Sequence, residues 1–195
     1  TMANPNDLRG LLERATPLVA AVLEEDVAAM ASLVRDHGHD LNEPVVDEIG
    51  SHCGRTASWV AALRGKSAAL AQLVALGANV GQPDHYGCTP AYCAADGGHD
   101  TCLKILRDAG ADLEAANRIS QGPAWEAAYY GHSRCLSLLA DAGCDLSRPN
   151  RFQQTPAWAA ASEGRLFCLG VILTAGADVS TPDTWDKHTP LQAAE

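Results

Sequence analysis

Residues able to ligate a metal or carry redox chemistry recur in this chain at a fixed spacing. Cys102, Cys135 and Cys168 follow one another at steps of 33 residues, and His99 and His132 share the same step. Thiolates and imidazoles are zinc ligands, but a tetrahedral site needs its donors within about 2.3 Å of one ion. Equivalent positions in stacked helical units lie about 8–10 Å apart, beyond the roughly 7 Å Cα separation a disulfide can span. Ala69 occupies the cysteine column one step earlier, so the position asks for a small apolar group. The three cysteines are expected as buried, reduced thiols, with a redox-active column as the alternative. Reduced thiols place the chain in a reducing compartment, cytoplasmic or nuclear. No cysteine shares the histidine column, so no metal is expected there. His37 and His39, with Asp36 and Asp40 around Gly38, form the other conceivable ligand set and read better as a solvated helix end. The sequence contains no Gly-rich phosphate loop, no Cys-x-x-Cys pair and no glycine-flanked nucleophile. No catalytic residue and no cofactor is expected, and the chain is not read as an enzyme.

The spacing itself reveals the elements that must position these residues. The segment Thr89-Pro90-Ala91-Tyr92-Cys93-Ala94-Ala95 has near-copies beginning at Thr56 (TASWVAA), Gly122 (GPAWEAA) and Thr155 (TPAWAAA), each one step of 33 away. A further copy at Thr189 (TPLQAAE) comes one residue late. Units this small cannot bury their own apolar faces and must stack on their neighbours. Thr-Pro starts one helix of each unit, with threonine as N-cap and proline at N1. Glycine columns at Gly65/Gly98/Gly131/Gly164 and Gly77/Gly110/Gly143/Gly176 end the helices. Apolar columns at Leu70/Leu103/Leu136/Leu169 and Leu73/Leu106/Leu139/Ile172 mark the core face of the second helix. Each unit therefore reads helix, turn, helix, projecting hairpin-like loop, and the fold class is an all-α solenoid.

The expected organisation is one domain over 1–195. A leading helix over Asn4 to Arg14 precedes an irregular first repeat that opens at Thr16-Pro17-Leu18, the two together spanning 4–46. Regular repeats occupy about 51–83, 84–116, 117–149 and 150–182, and a partial one 183–195. Seven surplus residues between Thr16 and Thr56 make a long connector from Leu41 to Gly54. A formal net charge of −10 and a pI near 5.0 argue against nucleic acid or an anionic membrane as partner. No apolar run approaches the roughly 18 residues a spanning helix needs.

Gly87-Cys88-Thr89-Pro90, Ala94-Ala95, Gly98-His99 and Gly110-Ala111-Asp112-Leu113 resemble the ankyrin repeat in order and phase, over residues 16–195. The resemblance implies an ankyrin-like array whose loop tips and first-helix face form a concave groove for another macromolecule, and no catalysis. Family contacts fall just before Thr-Pro and at the end of the first helix. Carried over, the loop positions are His52 and Cys53, His85 and Tyr86, Arg118 and Ile119, Arg151 and Phe152, and Trp185 and Asp186. The helix-end positions are Leu63 and Arg64, Asp96 and Gly97, Tyr129 and Tyr130, and Ser162 and Glu163. From these, His85, Tyr86, Arg118, Ile119, Tyr129, Tyr130, Arg151, Phe152 and Trp185 are the candidate partner-binding residues, because Tyr, Arg, Phe and Trp dominate interface energetics. A monomeric protein- or peptide-binding scaffold is the resulting functional expectation. The alternative is a modified-peptide reader that holds methyl-lysine in an aromatic cage around Tyr129, Tyr130 or Tyr86.

Several residues depart from the family pattern. Its histidine is replaced by Trp59, Tyr92, Trp125 and Trp158, while the preceding position shrinks to Ser58, Ala91, Ala124 and Ala157. Volume conserved across neighbours is what a core tolerates best, so an inter-repeat spine of rings is expected rather than a docking surface. Ser120, Gln153 and Lys187 replace the turn glycine seen at Gly54 and Gly87, and those turns are expected to differ. Gly122 removes a side-chain cap at a cost of about a few tenths of a kcal/mol. At the C-terminus, Leu191, Ala193 and Ala194 lack a second helix to cover them. Continuation of the chain beyond Glu195 is expected, with a capping half-repeat as the alternative.

Overall fold

The computed structural model describes residues 16–44, 53–182, 184 and 189–193. The expected leading helix, connector residues 45–52 and Trp185 lie outside that set. Among the described residues the regular elements are all helices: α1 (Pro17–Glu24), α2 (Val27–His37), α3 (Ala57–Leu63), α4 (Ser67–Ala75), α5 (Pro90–Asp96), α6 (Asp100–Asp108), α7 (Pro123–Tyr130), α8 (Ser133–Asp141), α9 (Pro156–Ser162), α10 (Leu166–Thr174) and α11 (Pro190–Ala193). They pair in chain order, with α11 beginning a sixth unit. The odd-numbered helices stack on one another in one layer and the even-numbered ones in a second. No described helix is long and apolar enough to cross a membrane.

Local chemistry sets the helix starts. Thr16, Thr56, Thr89 and Thr155 each accept a hydrogen bond on Oγ1 from the backbone N–H three residues on, at 3.4, 3.3, 3.2 and 3.2 Å. These bonds satisfy donors that a helix N-terminus leaves open. Gly122 supplies no side-chain cap, as its lack of a hydroxyl requires. The alanine pairs Ala61/Ala62, Ala94/Ala95, Ala127/Ala128 and Ala160/Ala161 are buried, and their small volume lets neighbouring first helices approach closely. Leu70, Leu73, Leu103, Leu106, Leu136, Leu139 and Ile172 fill the space between the two layers.

The cysteine column behaves as its alanine member suggests. Cys102, Cys135 and Cys168 are free and buried with Ala69, and burial pushes their thiols up to about 11, 12 and 11 respectively. Thiols held so far above neutrality are poor nucleophiles. The histidine column has a different structural task. His99 Nε2 donates to the Leu63 carbonyl at 3.1 Å, and His132 Nε2 to the Asp96 carbonyl at 3.0 Å. Arg165 Nε, one step on, donates to the Tyr129 carbonyl at 3.1 Å, and Lys66, one step back, pairs with Glu25 at 3.4 Å. Each member thus clasps the preceding repeat at the end of its first helix. At Gly98 (φ 70°) a Cβ would stand 2.5 Å from His132 Nδ1, so glycine there serves both the left-handed turn and the clasp.

The turns before α5, α7 and α9 share one geometry, contrary to the expectation that Ser120 and Gln153 make theirs differ; Lys187, the third such position, lies outside the described residues. Gly87 donates its N–H to Asp84 O, Ser120 to Asn117 O and Gln153 to Asn150 O, at 3.0, 2.9 and 3.0 Å. Ser120 (φ 63°) and Gln153 (φ 60°) enter the left-handed region that Gly87 (φ 83°) occupies. Each turn is fixed by a polar residue three positions before that point, which outweighs the cost of a side chain in the left-handed region. Asp84 Oδ1 accepts from the N–H groups of Tyr86 and Cys88, both at 2.9 Å. Asn117 Oδ1 accepts from Ile119 and Gln121, both at 3.0 Å. Asn150 Oδ1 accepts from Phe152 and Gln154, at 2.8 and 3.1 Å.

Candidate functional site

These turns present the loop residues, and one backbone bond per repeat ties each loop tip to the last. His85 donates its N–H to the Cys53 carbonyl (2.9 Å), Arg118 to Tyr86 (2.9 Å), Arg151 to Ile119 (3.1 Å) and Thr184 to Phe152 (2.9 Å). The candidate residues therefore spend their main chains on a ladder across the repeats, and the side chains are what remains for a partner. Tyr86 is 63% exposed, and His85, Arg118 and Arg151 are also exposed; Ile119 and Phe152 are half-buried. Trp185 is outside the described residues.

The second candidate group lies at the end of α7. Tyr129 stacks on Trp125 with ring centroids 5.1 Å apart and planes within 12°. Tyr130 meets Tyr129 edge-on, at 5.0 Å and 87°, and lies over the His132 ring at 6.2 Å. Tyr129 is half-buried, whereas Tyr130 is 46% exposed. The cluster is built upward from the aromatic spine: Trp59 and Trp125 are buried and Tyr92 and Trp158 half-buried. Trp59 Nε1 donates to the Cys88 carbonyl at 3.0 Å, joining one unit of the spine to the next loop. Arg55 sits over the Trp59 ring with its guanidinium carbon 4.6 Å from the centroid, and its Nε is 3.8 Å from Asp84 Oδ2.

Between the loop platform and the Tyr130 cluster lies Glu126, which sequence reasoning missed. Its side chain is buried, and its Oε1 accepts from the Tyr92 hydroxyl at 2.6 Å. Asn117 Nδ2 donates to the same Tyr92 oxygen at 3.2 Å and to Gln121 Oε1 at 3.2 Å. A continuous set of hydrogen bonds thus runs from the turn carrying Arg118 to the helix carrying Tyr130, fixing loop and helix relative to each other. Burial drives the Glu126 carboxyl up to about 7; the Tyr92 hydrogen bond opposes the rise and Asp96 adds to it. Burial and the same carboxylate raise the Tyr92 phenol. Asp96 is itself raised by burial, with His132 and His99 pulling the other way. The signal was present in the repeat alignment, where the position of Glu126 holds Val60, Cys93 and Ala159 in the other units. A carboxylate in that series breaks the apolar column.

A family model of ankyrin repeats, in three copies, matches residues 18–117, just over half of the chain. Beyond residue 117, α7–α10 continue the same pairing. No curated protein matches the chain. Among solved structures, the chain is similar to the human ASB11 ankyrin repeat domain, with a TM-score of 0.76 and 26% sequence identity over 92% of this chain and 76% of that one.

Proposed function

The chain belongs to the ankyrin-repeat family, whose members are generally non-catalytic protein–protein interaction modules, and from that premise we propose that it is a monomeric scaffold whose loop tips and first-helix ends dock a protein or peptide. One domain over 1–195 carries this function, with no cofactor. The partner is neither nucleic acid nor membrane, in keeping with the net charge of −10. Its free thiols suit the cytosol or nucleus.

The observation that carries the reading is the exposure of Tyr86, Arg118, Arg151 and Tyr130 on backbone held by the inter-repeat ladder and the Asn117–Tyr92–Glu126 bonds. Side chains of the types that dominate interfaces, on a preorganised frame, keep the entropic cost of binding low. The methyl-lysine reader is the weaker reading. Tyr129 packs on Tyr130 at 5.0 Å and on Trp125 at 5.1 Å, so these contacts take the space an ammonium would need between the rings. The test is affinity capture by the parent and by a Tyr86→Ala/Arg118→Ala/Tyr130→Ala/Arg151→Ala variant. The variant is expected to keep the parent's melting temperature and lose its captured proteins. Equal capture by both would overturn the docking assignment.

A further inference from the structure

We propose that the end of α7 is a subsite for a side-chain cation and that the docked partner places an arginine there, over Tyr130 and against Glu126. The inference deepens the docking reading above and rests on it.

The geometry begins with Glu126. Its side chain is 4% exposed, Tyr92 occupies Oε1, and no other described residue bonds Oε2. That second oxygen is also absent from the polar atoms sealed without a partner, so it remains within reach of solvent. A buried carboxylate with one oxygen held and the other without a bond is a fixed, underused acceptor. Retaining such a group is unfavourable unless something compensates for its desolvation. Four residues on, Tyr130 offers the exposed ring. In the neighbouring unit its column position is Gly97, which has no side chain to cover the ring. A Cβ on Gly97 would lie 2.5 Å from His99 Nε2, so the clasp of His99 on Leu63 keeps that place open. On the other side the column continues as Glu163, an exposed carboxylate.

The field across this surface is negative. Burial raises the Tyr130 phenol, and Asp96, Glu126, Tyr129 and Glu163 raise it further. Burial pushes Cys88 up to about 12, with Asp84, Glu126 and Asp96 adding to the rise and Arg55 opposing it. Of the nearby cations, Arg55 is engaged with Asp84 and Trp59, and Arg165 donates Nε to the Tyr129 carbonyl; His99 and His132 likewise donate Nε2 to backbone carbonyls. Guanidinium suits the site better than ammonium, because its planar fork can stack on a ring face and donate to a carboxylate at the same time. Arg55, between Trp59 and Asp84, is this chain's own instance of that sandwich.

The test uses the 195-residue chain and a random 12-residue peptide library displayed on phage. Enriched peptides are expected to share an arginine at one fixed position. The leading peptide is then synthesised with arginine, lysine, trimethyl-lysine or citrulline at that position. Citrulline is expected to weaken binding tenfold or more, and so are Glu126→Gln and Tyr130→Leu, while Tyr130→Phe, which keeps the ring, binds like the parent. A melting temperature of Glu126→Gln no lower than the parent's separates lost binding from lost folding. Affinity of the parent for the arginine peptide is expected to rise from pH 6 to pH 8 as Glu126 ionises. The other titratable or charged groups around Glu126 are Cys88 before α5, Tyr92, Cys93 and Asp96 on α5, Tyr129 and Tyr130 on α7, and His99, His132, Glu163 and Arg165. These groups are common to parent and variant, so the Glu126 share is the part of the rise missing from Glu126→Gln. Full affinity for the citrulline peptide, or for Glu126→Gln, overturns the proposal. Tighter binding of trimethyl-lysine than arginine overturns it in favour of the reader. Enriched peptides that lack a fixed cation yet need Tyr86 and Arg118 overturn the arginine subsite and leave the docking reading standing. Absence of any enrichment overturns the subsite as well, and the capture experiment above then judges docking by itself.

Discussion

Trp125 and Tyr130 lie five residues apart on α7, yet the first is 7% exposed and the second 46%. The stacked positions of α3, α5, α7 and α9 hold what repeats: the ring and the alanine pair in all four, the Thr cap in all but α7 and the proline in all but α3. Their last turns, with the loop tips, hold what does not: Leu63, Asp96, Tyr129 and Ser162 at one column position, Arg64, Gly97, Tyr130 and Glu163 at the next. A residue that packs against copies of itself is constrained by the stack, so its column stays uniform. A column facing outward is free of that constraint, and its variation is where a particular partner can be specified. Glu126 is the exception, an individual residue inside a uniform column.

The largest expected effect separates the two regions. Trp125→Ala removes a buried ring whose loss costs about 3–5 kcal/mol, whereas Tyr130→Ala is expected to cost under about 1 kcal/mol because its ring is largely at the surface. Urea denaturation of both variants measures the contrast. Equal midpoints would mean that the ring column is no spine.

Much of this contrast is legible in the amino-acid sequence. The period places the helices, because threonine caps, prolines and glycine punctuation act locally and recur in phase. The cysteine column is readable from Ala69, and the histidine column separates from metal chemistry because no cysteine shares it. What the histidines do instead, reaching back 36 residues to a carbonyl, depends on the stacking distance between repeats, which a linear pattern does not encode. The turns at Ser120 and Gln153 depart from expectation because a missing glycine is only half of the signal. The Asp84/Asn117/Asn150 column that fixes the turn is in the sequence, one residue type away from uniform. Glu126 is hidden by averaging, since its column looks apolar when read as a consensus.

The second effect tests that exception. Glutamate's ordinary value of 4.5 rises to about 7 at Glu126, so folding favours its protonated form. The stability this contributes is full below about pH 4.5 and is lost as pH rises through about 7, an effect of about 3 kcal/mol. Asp96, also raised by burial, has the same sign, so the Glu126 share is read from the difference between parent and variant. Glu126→Gln is expected to match the parent near pH 4 and to exceed it by up to about 3 kcal/mol at pH 8. A parent that gains on the variant as pH rises would contradict the burial of this carboxylate.

A smaller effect compares the turns. Gly87→Ala puts a side chain at φ 83° with its Cβ 3.2 Å from Arg118 N and Asn117 Cα, and is expected to cost about 1–3 kcal/mol. Ser120→Gly, at the equivalent turn, relieves a left-handed side chain and is expected to gain about 1 kcal/mol or less. Thermal unfolding of the pair shows whether the turns are one structure built two ways. Opposite signs are required; a loss in both would mean that Ser120 has a role beyond the turn.

The smallest effect lies at Gly122, where α7 starts without the side-chain bond that Thr16, Thr56, Thr89 and Thr155 make. Its backbone is already extended, at φ −98° and ψ 174°, close to Thr56 at −95° and 172°. A hydroxyl introduced there meets Trp125 N–H, which now donates to the Gly122 carbonyl at 3.0 Å, in the place that Trp59 N–H holds for Thr56. Gly122→Thr is therefore expected to add about a few tenths of a kcal/mol, glycine being only slightly worse than threonine as a cap. The gain should appear as a small rise in melting temperature and as slower amide exchange in the first turn of α7. Destabilisation would show that this position tolerates no side chain. The space permits one, since the nearest atom to a Cβ at Gly122 is Glu114 O at 3.6 Å, an ordinary contact. The first turn of α7 would then match the other units, and its difference from them would be confined to Glu126 and the two tyrosines.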